Sequence, residues 1–225
     1  MIRTANLVPI ESVLVSTDGV ELPGDLSLPP EASGIVVFAH GSGSSRRSPR
    51  NRFVADLLGE AGIGTLLFDL LTAGEETDRR NVFDIPLLAR RLIAATQWLM
   101  VHPEASGRAI GLFGASTGAA AALIAAARSE HSIAAVVSRG GRPDLAQEWL
   151  PKVKAPTLLI VGGRDFEVLD LNRTAFERLT CPKRLEVVPG ATNLFEERGA
   201  LETVAAFAAS WFRRYLAPQP LPGSP

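Results

Sequence analysis

The sequence predicts an α/β fold: a mostly parallel, twisted sheet with helices on both faces. Three observations carry this. Apolar runs of strand length recur at Gly34–Ala39, Ile63–Phe68, Arg108–Phe113, Ile133–Ser138 and Thr157–Val161, and unbroken runs suit parallel strands buried on both faces. Segments with helical spacing alternate with them, as βαβ units require. The 225 residues are 46% hydrophobic and 21% charged, enough for one large domain with a substantial core.

Each element follows in order. Ser12–Thr17 and Val20–Leu28 read as strands joined by Asp18-Gly19, a favoured hairpin dipeptide. Pro23-Gly24 marks an irregularity in the second. After the Gly34–Ala39 strand, Ser48 and Pro49 open a helix as N-cap and first residue. It places Phe53, Val54, Leu57 and Leu58 on one side and closes near Gly62. The Ile63–Phe68 strand leads into a polar loop at Leu71–Asp78. A long helix spans Asp84–Val101, and another, rich in alanine, spans Thr117–Arg128. A short helix covers Pro143–Leu150. Helix Asp170–Leu179, strand Arg184–Val188 and helix Gly199–Leu216 complete the domain, expected over residues 1–216. In the last helix Leu201, Val204, Ala208, Trp211, Phe212 and Tyr215 recur at core-facing spacing. The Pro-rich tail from Ala217 to Pro225 is expected to be disordered. The linker between the Ile133 and Thr157 strands is too short for a separate lid domain.

The totals narrow the function classes. A net charge of -1 gives no global field for nucleic acid or an anionic membrane. Cys181 is the one cysteine, so no intramolecular disulfide forms. The start of the chain lacks the apolar core of a secretory signal, and no apolar run reaches the length of a membrane span. The expectation is a cytoplasmic protein with neither nucleic acid nor membrane as partner; a homodimer stays open. No His/Cys cluster has metal-ligand spacing and no dinucleotide fingerprint follows the first strands. No metal or cofactor is expected.

Gly114-Ala115-Ser116-Thr117-Gly118 lies between a strand and a helix. A G-x-S-x-G pattern in that setting describes a nucleophile elbow, a turn so tight that the serine backbone is strained. Side chains at Gly114 or Gly118 would collide with the neighbouring strand and helix. The hydroxyl is then held at a helix N-terminus, which favours negative charge. The bland alternative is an ordinary glycine-rich turn. In a parallel sheet, functional residues gather at the carboxyl ends of strands. His40-Gly41-Ser42, Asp69, Ser116, Arg139, Asp165 and the segment Pro189–Asn193 stand at those ends.

With these residues in place the chain resembles an α/β-hydrolase, close to the dienelactone-hydrolase-like branch. The likeness runs from Ser12 to Leu216. His40-Gly41-Ser42-Gly43 is similar to the family's oxyanion loop, and Gly114–Gly118 to its elbow, with serine where the namesake enzymes use cysteine. Gly162-Gly163-Arg164-Asp165 resembles the acid loop, and Gly190–Phe195 the loop that carries the catalytic histidine. The resemblance implies a hydrolase of carboxylic esters or lactones. Ser116 would be its nucleophile, Asp165 its orienting acid, and the N–H groups of Ser42 and Thr117 its oxyanion hole.

The chain departs from that pattern at Asn193, which stands where the histidine belongs. An amide nitrogen cannot take the Ser116 proton, but it can donate to Asp165 and accept from Ser116. The three histidines offer no ready substitute. His102 and His131 belong to the opposite end of the sheet, and His40 resembles a loop support. Three readings stay open: deliberate replacement of the histidine, a natural ligand-binding pseudo-hydrolase, or an oxyanion-hole enzyme of lyase or isomerase type. In the last, Asp69, Glu75, Glu76 or His40 would carry the proton. His40, Arg139 and Glu75 are also candidate substrate-binding residues. Arg139 would hold a substrate carboxylate or, equally, form an ion pair with an aspartate.

Overall fold

The computed structural model describes residues 8–217; the Pro-rich tail beyond Ala217 lies outside them. A hairpin of β1 (Ile10–Thr17) and β2 (Val20–Ser27) opens the chain. β3 (Ile35–Ala39), β4 (Gly64–Phe68), β5 (Ile110–Ala115), β6 (Ala135–Arg139), β7 (Thr157–Gly162) and β8 (Lys183–Val188) follow. All eight join one sheet in the order β1-β2-β4-β3-β5-β6-β7-β8. β2 pairs antiparallel with both β1 and β4, and the pairings from β4 to β8 are parallel. This is the α/β-hydrolase architecture.

The apolar runs are continuous because each strand feeds two cores. Ile35 and Val37 of β3 face one core, and Val36 and Phe38 the other. The first core packs beneath α4 (Ile85–Val101), α5 (Thr117–Arg128) and α6 (Phe166–Arg178). The second packs beneath α1 (Pro49–Glu60) and α7 (Ala200–Leu216). In α5, Ala119 to Ala122 are fully buried. Their small side chains let that helix lie close to the sheet.

Several local readings change. Pro23-Gly24 does not interrupt β2. Gly24 is needed for space, because a Cβ there would meet Val13, Phe68 and Leu66 within 3.3 Å. Pro23 sits just past the end of the β2–β4 ladder, where its missing N–H is harmless. The polar stretch after Leu71 folds into two short helices, α2 (Ala73–Glu76) and α3 (Arg79–Val82). Thr72 and Glu75 close a reciprocal capping box that starts α2. Arg91, 3% exposed, donates to Glu75 at 2.7 Å and to the Thr17 carbonyl, tying α2 to the hairpin. The Pro143–Lys152 segment is 3-10, broken at Gln147 with φ 39°. α6 starts earlier than expected because Asp165 caps it. Phe53 is exposed, and α1 buries Asn51, Val54, Ala55 and Leu58 instead. No helix among the described residues is long and apolar enough to cross a membrane.

Gly118→Ala should destabilise the protein by about 3 kcal/mol or more, because its Cβ would press on the Ala39 and His40 carbonyl oxygens, which are backbone. Gly74→Ala is the control. It lies in α2 with only Thr72 Oγ1 nearby, at 4.0 Å, so it should leave stability unchanged or raise it by about 0.5–1 kcal/mol. Urea denaturation of both variants checks the pair; equal midpoints would contradict the close approach.

Candidate active site

Ser116 stands between β5 and α5 with φ 53° and ψ −125°. A non-glycine residue reaches that backbone region only where its surroundings enforce it. The enforcement comes from two glycines. At Gly114 a Cβ would strike the backbone of Gly118 and Ala119, and at Gly118 it would strike the end of β3. The serine carbonyl is held by the N–H groups of Ala119 (3.1 Å) and Arg142 (3.0 Å). The side chain is left exposed.

The loop after β3 closes one side. Gly41 lies against the serine: a Cβ there would stand 2.9 Å from Ser116 Cβ and 3.5 Å from its Oγ. His40 fixes this loop. Its Nε2 accepts from the Leu70 N–H at 3.1 Å, so its Nδ1 carries the proton and donates to the Gly41 carbonyl at 3.0 Å. Burial pushes the imidazole pKa down, against the Gly41 bond and the charges of Asp69 and Glu76. A chain of hydrogen bonds runs beyond. The Ser42 N–H donates to Thr117 Oγ1 at 2.9 Å, the two hydroxyls meet at 2.8 Å, and Ser42 Oγ donates to the Val82 carbonyl at 3.1 Å. A cleft of about 480 Å³ opens over this loop, walled by Gly41, Ser44, Arg47, Ser48, Glu76 and Val82 among others.

The opposite side is built from two loops zipped together. Arg164 N–H donates to the Ala191 carbonyl at 2.9 Å, and Gly163 N–H to that of Val188. Gly162 has no room for a Cβ beside Thr192. Glu197 accepts the Thr192 N–H at 2.9 Å. Phe195, 1% exposed, anchors the turn with φ 56°. These contacts carry Asn193 to Gly140, whose missing side chain leaves space for the Asn193 Oδ1 and carbonyl. The Arg139–Arg142 segment therefore touches Asn193 on one side and bonds the Ser116 backbone on the other.

The dienelactone hydrolase family model matches residues 27–216. The chain belongs to the dienelactone hydrolase family. A solved dienelactone hydrolase from Anabaena variabilis is 55% identical with a TM-score of 0.91, over 93% of this chain and 99% of that one. A Mycobacterium tuberculosis protein named as a putative phosphoribosyl transferase is 58% identical over 206 residues, covering 92% of this chain and 46% of that protein. The chain thus spans about half the length of that curated relative. Est1E from Butyrivibrio proteoclasticus, at 16% identity and a TM-score of 0.74 over 90% of this chain and 99% of that one, shares the fold. The family match and the Anabaena variabilis structure place this segment in a hydrolase family.

Against this dienelactone hydrolase fold, the site residues read from sequence divide. Ser116, Thr117, Ser42, Asp165, Asn193 and Arg139 all come to one end of the sheet. Four expectations change. Glu75 is engaged inside the fold: burial raises its carboxyl pKa, but the bonds from Thr72 and Arg91 outweigh this and hold it below the usual range. His40 is 6% exposed and both its nitrogens are engaged, one by the Gly41 carbonyl and one by the Leu70 N–H. The Ser42 N–H is occupied by the Thr117 hydroxyl rather than free. Asp165 caps α6 through the Val168 N–H at 3.2 Å, and no hydrogen bond joins it to Asn193 or Ser116 among the described residues. Gly140 and Asn51 shape the site without having been singled out. Gly140 gives no signal beyond its position after β6.

His40 makes stability depend on pH. Its folded pKa lies below the ordinary 6.5, so the unfolded chain binds more protons and stability falls as pH drops from 6.5 through the folded value. Denaturation midpoints across pH 7.5 to about 5 should show this slope, and His40→Asn should flatten it. An unchanged slope would place the titration elsewhere.

Proposed function

We propose that this chain is a serine hydrolase scaffold for small carboxylic esters or lactones, with the general-base position occupied by Asn193. The carrying observation is the Ser116 backbone at φ 53°, ψ −125° between β5 and α5, the conformation of a nucleophile elbow. In this reading Ser116 Oγ attacks the substrate carbonyl and an acyl-serine forms as the alcohol leaves. The Thr117 N–H, first in α5 and without an acceptor in its own helix, takes the developing oxyanion. The Ser42 N–H joins it once the Thr117 hydroxyl turns aside. Asp165 is the orienting acid. The proton of Ser116 needs an acceptor that later returns it to the leaving oxygen, and an asparagine amide cannot serve. The oxyanion hole and binding then leave a residual rate of roughly 10³–10⁴ over water.

The alternatives are a ligand-binding pseudo-hydrolase and an oxyanion-hole lyase or isomerase. The second needs another proton carrier. Asp69 is held by Arg46 through its backbone and guanidinium, Glu75 by Arg91 and Thr72, and His40 by Gly41 and Leu70, which leaves Glu76 on the cleft wall as the candidate carrier of that reading. The phosphoribosyl transferase name belongs to a relative about twice as long, whereas the family match to this segment is to hydrolases.

Asn193→His should raise kcat/KM for p-nitrophenyl acetate by about 10²–10⁴-fold, and Ser116→Ala in that background should abolish the gain. Intact mass after a fluorophosphonate should show one adduct, absent from Ser116→Ala. No gain in the single variant, or a gain that survives loss of Ser116, would refute this placement.

A further inference from the structure

Arg139 is the last residue of β6, and its Cα pairs with that of Ala115, the residue before Ser116. Its side chain follows Ala135 and Val137 to the α1 side of the sheet. It is 7% exposed. An arginine so deeply buried ordinarily meets a carboxylate. This one meets none among the described residues. Nη2 donates to Asn51 Oδ1 at 3.2 Å, and Nε is buried with no partner among them. The nearby charge is a second cation: burial first, then Arg50, lower the Arg139 pKa to about 10. It remains protonated at neutral pH.

Asn51 belongs to the first turn of α1. That turn contains no acidic residue, and Ser48 caps it. The positive end of a twelve-residue helix, two guanidiniums and one side-chain amide therefore converge beside the Ser116 turn. Arg50 pairs with Glu196 at 2.9 Å, but at the surface, where Glu196 is 64% exposed; such a pair yields readily to a better anion. Arg47, Ser48 and Pro49 extend the cleft to this helix end.

We propose that Arg139, Arg50 and the first turn of α1 form a subsite for a phosphate group carried by the substrate. As a statement about the substrate it rests on the hydrolase reading above; as a statement about phosphate binding it stands alone. Two guanidiniums and a helix end balance close to two negative charges, which a phosphate monoester supplies and a carboxylate does not. Arginine forks match phosphate oxygens in pairs. The Asn51 amide, released from Arg139, can turn its nitrogen toward the same oxygens.

Calorimetry and thermal denaturation with inorganic phosphate and with acetate test this on the full chain. Phosphate should bind and raise the midpoint, with acetate weaker by about tenfold or more. Asn51→Asp is the decisive variant. It supplies the missing counter-charge at a helix position that favours it, so its midpoint should rise while its phosphate response disappears. It keeps the test open if Arg139→Met does not fold. Arg50→Gln should weaken phosphate by about tenfold. No phosphate response in the parent chain, an unchanged response in Asn51→Asp, or acetate binding as tight as phosphate would each overturn the subsite. In the Asn193→His background, an ester bearing phosphate should be preferred over its neutral counterpart, and Asn51→Asp should erase the preference. Equal rates would overturn the assignment to the substrate. If that background hydrolyses neither ester, the hydrolase reading fails, while phosphate binding is still read by calorimetry.

Discussion

The start of α5 lies against the end of β3 with no room for a side chain, and the site depends on that approach. Gly118 touches the carbonyls of Ala39 and His40, and Gly114 touches the first turn of the helix it precedes. The chain must turn from strand to helix in that space, which drives Ser116 to φ 53°. Strain of this kind costs on the order of 1–3 kcal/mol and persists only where packing fixes it from all sides. Here the buried alanines Ala119–Ala122 fix the helix, and the parallel pairing of β5 with β3 and β6 fixes the strand. Contact with β3 also sets Gly41 beside the serine, so one packing constraint positions both the hydroxyl and the loop facing it.

The other half of the site is held by backbone rather than by side-chain partners. The loops after β7 and β8 bond to each other through Gly163 and Arg164, and Glu197 secures Thr192. A second strained residue, Phe195, keeps the turn that presents Asn193. The position is therefore fixed independently of the side chain that occupies it. This explains how an asparagine can stand at the end of an intact loop without any hydrogen bond to Asp165. Asp165 meanwhile satisfies one open N–H group of α6, that of Val168, a need that any acid at that position meets before it meets a ligand.

What could be read from sequence follows the range of the interaction concerned. The two-sided strands, the Ser48-Pro49 helix start and the turn at Ser116 are written in neighbouring residues, and they were legible. The Thr72/Glu75 capping box was equally local, but the polar composition of the segment read as loop. The partners of His40 and Arg139 were out of reach. Leu70 lies 30 residues from His40, and Asn51 lies 88 from Arg139, and only the strand order β4-β3-β5-β6 brings them together. Of the two partners the sequence suggested for Arg139, the internal aspartate is not met among the described residues, where the group it meets is an uncharged amide.

Several departures from local consistency meet at the Ser116 end of the sheet. Ser116 and Phe195, like Asp18, Glu31 and Gln147 elsewhere, have positive φ, and Arg139 is a buried cation without a counter-charge among the described residues. Elsewhere the molecule resolves comparable problems internally. Arg91 is as buried as Arg139 yet has Glu75 and the Thr17 carbonyl, and Arg46 has Asp69. Arg91 also keeps an unpartnered Nε, but Glu75 meets its charge, whereas the arginine beside Ser116 meets no carboxylate among the described residues. Native sequences retain such inconsistencies chiefly where function requires them. Asn193 is a different case: its place is set by the close approach to Gly140 and the turn at Phe195 rather than by charge. On the proposed hydrolase reading, the groups that would hold an anionic ester and the position that would carry its proton are therefore fixed by separate parts of the structure.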